Sequence, residues 1–161
     1  MEVRIKMARE TTDETEELPL VQPMELVGAN DWFLQSTIEN IVSHGVYIGV
    51  TLTVKGIIVS GMLISGKKYF EELSKDMKAA SRQEDDMSDT LAKSWQQYTA
   101  IYEKPEGASD DWQPLPVGYI HLLNARFYAP GQSPIPTNQG ILWRGKLSSV
   151  DGFSIGSFSI D

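Results

Sequence analysis

The chain has 161 residues, 22 acids against 14 bases for a net charge of −8, and no cysteine. That length suits one domain with a core of its own. The missing thiols exclude disulfides, thiolate zinc sites and cysteine nucleophiles, and fit a reducing cytoplasm. The excess charge sits in two places. Residues 1–25 hold seven acids and three bases, residues 67–111 hold eleven and seven, and the remainder balances at four each. Acidic flanks around a neutral framework weigh against non-specific binding to nucleic acid or an anionic membrane. The first ten residues lack the apolar run of a signal peptide, and no stretch approaches the ~20 apolar residues needed to span a bilayer.

Residues 1–27, polar and acidic with Pro19 and Pro23, are expected to form a flexible arm ahead of a single domain over 28–161. Asn30 or Asp31 then caps a helix with Leu34, Ile38, Ile41 and Val42 as its apolar stripe, ended by Gly45. Val46, Ile48, Val50, Leu52 and Val54 alternate with Tyr47, Gly49, Thr51 and Thr53, the period of a half-buried strand. Lys55-Gly56 makes a turn into a second strand, Ile57 to Ile64, apolar on both faces and bent at Gly61. A helical insertion over 67–104 follows. Tyr69, Phe70, Leu73, Met77 and Ala80 keep helical spacing, as do Leu91, Trp95, Tyr98 and Tyr102, with Ser88 as a cap. A third strand, Tyr119 to Tyr128, changes its apolar phase midway. The tail reads as a closing hairpin, with strands on either side of an Asp151-Gly152 turn and a bulge near Gly156-Ser157.

This order gives an α+β fold, mainly antiparallel: a helix and a five-stranded, bent, closed barrel of the Sm-like or SH3-like kind, with a helical insertion between strands 2 and 3. Leu52-Thr-Val-Lys-Gly56 with Gly61 resembles the first Sm motif, and Leu142-Trp-Arg-Gly145 the second. The residues by which Sm proteins hold RNA are largely missing: Lys55 stands at the usual asparagine, and no aspartate follows Ser65.

Three blocks carry a second resemblance. They are Val59 to Ser74 (VSGMLISGKKYFEELS), Tyr119 to Asn124 (YIHLLN), and Ile141 to Gly156 with its Trp-Arg-Gly-Lys and Val-Asp-Gly-Phe runs. Together they resemble the gas vesicle accessory protein U family over about residues 38–156. The resemblance implies a non-enzymatic accessory protein of bacterial gas vesicles, cytoplasmic and possessed of no cofactor. It would bind gas vesicle proteins and influence vesicle assembly or clustering, while open edges of short strands and the habits of Sm-like folds favour self-association into a homo-oligomer.

Few residues suggest chemistry. Gly152-Phe-Ser-Ile-Gly156 has the spacing of a nucleophile elbow, but only five residues follow it and both histidines, His44 and His121, lie upstream. No ligand spacing points to a metal, and Glu84-Asp-Asp86 reads as a solvated charge run. A basic set of Arg126, Arg144 and Lys146 leaves an Sm-like RNA-binding module as the alternative function. Arg144 would then stack on a base, whereas the plainer reading has it pair with a carboxylate or cover apolar surface with its stem. Tyr69 and Tyr98 mark the apolar side of the insertion, which packs either on its own sheet or on a partner.

Overall fold

A computed structural model describes residues 30–81 and 87–158. The expected arm, the acidic run Glu84–Asp86 and the last three residues lie outside the described residues.

The first helix, α1 (Trp32–Asn40), begins where Asp31 accepts the Leu34 N–H at 2.9 Å. A 3-10 turn, Val42–His44, extends it to Gly45, whose φ of 90° lets the chain reverse at no steric cost. Leu34, Ile38 and Val42 face inward and are buried. Replacing Asp31 with alanine is expected to cost about 1 kcal/mol, read as a lowered thermal midpoint, because the Leu34 N–H in the first turn loses its side-chain acceptor.

Strands β1 (Ile48–Val54) and β2 (Ile57–Ile64) form the expected hairpin. Lys55 and Gly56 both have positive φ, the conformation that matches the twist of a two-residue turn. The insertion consists of α2 (Gly66–Ala80), α3 (Met87–Gln96) and a 3-10 segment, Gln97–Tyr102. Ser65 caps α2 through the Lys68 N–H. Ser88, expected as the cap of α3, lies within that helix. Strand β3 runs Tyr119–Tyr128, β4 Ile141–Lys146 and β5 Val150–Ile155.

The five strands form one sheet in the order β4-β3-β2-β1-β5, antiparallel at every step. The α+β, mainly antiparallel expectation therefore holds, and the order is compatible with an Sm-like plan. The phase change in β3 comes from an extra residue: the register with β2 shifts between Ser60 and Met62, and with β4 between Leu122 and Ala125. Asn124, at φ 54°, takes up the excess. Ile120 and Leu122 before the bulge and Ala125 after it all reach the core. Gly61 lies against it, where an added Cβ would stand 3.0 Å from the Ala125 Cα.

The closed barrel and the closing hairpin are both corrected by the structure. β4 pairs with β3 and β5 pairs with β1, so the sheet stays open with β4 and β5 as its edges. Asp151 and Gly152 lie inside β5. The connection is a 3-10 turn, Leu147–Ser149. Two contacts account for it. Leu147 is buried in the core and its N–H donates to Gly118 O at 3.0 Å, which drives the chain across the end of the sheet. The Asp151 carboxylate accepts the Lys55 N–H, tying the start of β5 to the β1–β2 turn and leaving Asp151 as the bulged residue opposite Thr53 and Val54. One bulge thus sits there, and Gly156, just past the end of β5, has a φ of 112°. A flat five-stranded sheet would hold its edges about 19 Å apart, farther than the roughly 14 Å that four residue steps reach. The sheet must curl, although its ladder does not close.

Candidate functional site

The outer face of β3 and β4 gathers most of the chemistry in the described residues. His121 pairs with Arg144, and Tyr119 with Lys146, so all four side chains project from the face opposite the Ile120 and Leu122 core positions. Helix α2 lies over His121, with the Tyr69 ring centroid 4.8 Å from the imidazole. Tyr102, from the 3-10 segment after α3, packs onto Gly66 at the start of α2 so closely that an added Cβ would enter its ring. The Tyr69–His121 contact ties α2 to the sheet, and Tyr102 ties the end of the insertion back to α2.

Arg144 occupies the centre. Its Nε–H donates to His121 Nε2 at 3.2 Å, and its guanidinium carbon lies 3.6 Å from the centroid of the Tyr119 ring. His121 is 2% exposed, and burial, helped by the Arg144 charge, lowers its pKa from 6.5 to about 3. It is a neutral imidazole whose Nε2 is an acceptor. Burial raises the pKa of Tyr69 and Tyr102, and the Arg144 cation opposes that rise in both. Both tyrosines are thus neutral hydroxyls near a fixed positive charge.

The sequence singled out five residues for an interaction surface, and the structure brings three of them together. Tyr69, Arg144 and Lys146 share this face. Arg126 lies beyond the β3 bulge opposite Ser60, and its Nη2 donates to Asn138 O at 2.7 Å, where it staples the 130–140 loop to the strand. Tyr98 packs instead on Phe70 of α2, with ring centroids 5.3 Å apart, and is half exposed. Arg144 follows neither sequence reading entirely: it meets a tyrosine ring and a histidine. The parts that sequence reasoning missed are Tyr119 and His121 as its partners. Their alternation along β3 was visible, but the register that sets them against Arg144 was not.

Other possibilities find little here. Ser154 lies inside β5 opposite Thr51, and β3 with His121 lies three places away in the sheet, so no elbow forms. Among the described residues there is no group of three metal-ligating side chains. Among them, too, no helix is long and apolar enough to cross a membrane.

Searches of curated proteins and of solved structures give no match to the chain. A family model described as "Gas vesicle protein GvpU-like" matches residues 31–158. That span takes in α1, all five strands and the insertion, wider than the 38–156 carried by the sequence blocks. With most of its length matched, the chain belongs to the GvpU-like gas vesicle protein family.

Proposed function

We propose that the chain is a non-enzymatic accessory protein of gas vesicles, working in the cytoplasm against the vesicle surface and binding other proteins to influence vesicle assembly or clustering. The family match carries this reading. The architecture supports it, because among the described residues a curled open sheet offers two unpaired strand edges and the helical insertion offers a second surface. Exposed apolar side chains lie along both regions: Ile141 on one edge, Ile155 on the other, and Tyr98 and Ile101 on the insertion. Unpaired edges also favour self-association into a homo-oligomer. The RNA-binding alternative has less support. One face of the Arg144 guanidinium is occupied by Tyr119 and its Nε by His121, which takes up much of what would hold a base.

Flotation tests the proposal. Purified chain mixed with intact gas vesicles is expected to rise with them and to stay behind when the vesicles are omitted. Chain left in the lower fraction in both tubes, together with RNA retention on a filter that weakens steeply with salt, would sink the vesicle reading and favour the nucleic-acid one.

A further inference from the structure

We propose that the open edge of β5 is a two-fold interface, at which a second copy of this chain pairs antiparallel with Ser154 on the axis. The inference rests on the reading of the chain as a self-associating accessory protein and adds the strand, the partner and the register. Phe153 and Ile155 lie opposite Leu52 and Val50, both fully buried, so they occupy the core face of the sheet. Ile155 is nevertheless 60% exposed, because the core ends at this edge strand. Phe33 of α1, half exposed, packs on Phe153 with ring centroids 5.9 Å apart, and Trp32 lies 5.8 Å from Phe33. Trp32, Phe33, Phe153 and Ile155 thus form one apolar patch beside an unpaired strand. The tail after β5 turns away from it. Phe158 crosses the opposite face, where its N–H donates to Ser60 Oγ at 2.8 Å.

Backbone direction and charge select the register. The Gly156 N–H donates to Gly49 O at 2.7 Å, so by alternation Ser154 turns its peptide groups to β1, and Phe153 and Ile155 turn theirs to the open side. A two-fold axis at Ser154 sets Phe153 of each copy opposite Ile155 of the other. The residues with free peptide groups then bond each other, and apolar side chains meet on the core face. An axis at Phe153 would instead set Ile155 against Asp151, the one charged residue of β5. With the axis at Ser154 the two Asp151 residues stand roughly 20 Å apart, beyond the ~8 Å screening length at physiological salt. The other edge lacks this self-complementarity. In a β4–β4 pairing that overlaps the whole strand, Arg144 comes within roughly 7 Å of Arg144 on the second copy. The excess negative charge is carried by residues 1–25 and 67–111 rather than by β5. It opposes the approach of two copies, and salt relieves that opposition.

Sedimentation velocity on the full chain tests the interface. A monomer–dimer equilibrium is expected, tightened severalfold between low and physiological salt as the repulsion is screened. Ile155→Lys is expected to weaken it about tenfold or more and Phe33→Ser severalfold, while Ile141→Lys on the opposite edge leaves it unchanged. The chain has no cysteine, so a single Ser154→Cys reports the register. Facing residues of such a non-hydrogen-bonded pair lie about 4.5 Å apart between Cα atoms, within disulfide reach, and mild oxidation is expected to give a covalent dimer. Gly152→Cys, roughly 14 Å from its counterpart, is expected to stay uncrosslinked. Monomer at every concentration would overturn the proposal, as would a dimer that survives Ile155→Lys. So would an assembly that Ile141→Lys breaks and that a mixture of Ile141→Lys with Ile155→Lys rebuilds only as far as a dimer, the mark of β4 meeting β5. Because no vesicles enter these measurements, a failure here leaves the flotation result standing, and the reverse.

Discussion

Urea denaturation is expected to show stability falling by roughly 3 kcal/mol between pH 6.5 and pH 4, with most of that fall absent in a His121→Gln variant. In the unfolded chain His121 takes a proton near pH 6.5, while in the folded chain it resists protonation down to about 3. Across that window the unfolded state binds the extra proton, so stability is complete above pH 6.5 and drains away as the pH falls. The cause is geometric. A 2% exposed imidazole faces the Arg144 cation across a 3.2 Å hydrogen bond and lies against Tyr69, with Tyr102 also near that cation and no described carboxylate within ion-pair distance of Arg144. Protonation would remove the acceptor on Nε2 and place a second, buried cation against the exposed first one. Equal pH slopes for the two proteins would show that His121 is not held neutral by this arrangement.

Gly140→Ala is expected to destabilise the chain by about 2–3 kcal/mol, seen as a lower urea midpoint. An added Cβ would come within 2.4 Å of the carbonyl carbon and oxygen of Asn124, the residue that absorbs the β3 bulge. Those atoms are backbone and cannot swing aside, so relief requires the 130–140 loop to lift from the strand. Arg126, which holds that loop through Asn138, would be disturbed with it. Gly152→Ala is the matched control, since a Cβ there meets nothing within 4 Å, and its midpoint is expected to stay nearly unchanged. Similar losses in both variants would mean that the Gly140 contact does not set the cost.

Both predictions depend on the bulge in β3, and only half of that feature is written in local pattern. The change of apolar phase between Ile120–Leu122 and the later part of the strand announces an extra residue. It does not reveal that Gly61 and Gly140 close around it, or that it sets Arg144 opposite His121. The cluster of Arg144, His121, Tyr119 and Tyr69 was for this reason seen only in part. Arg144, Lys146 and Tyr69 stood out by residue type. Arg126 stood out equally, yet it holds a loop.

Local chemistry sufficed for α1, its Asp31 cap, the β1–β2 hairpin and the span of β3, because helix caps, positive-φ turns and alternating burial act over only a few residues. It misjudged the tail, where Asp151-Gly152 has the composition of a turn. Burial of Leu147 and the grip of Asp151 on Lys55, 96 residues away in sequence, outweighed that preference and laid the pair into a strand beside β1. Strand partners and cross-strand neighbours are chosen by contacts between distant parts of the chain. Whether the sheet closes, and which side chains flank its exposed arginine, were therefore settled by packing.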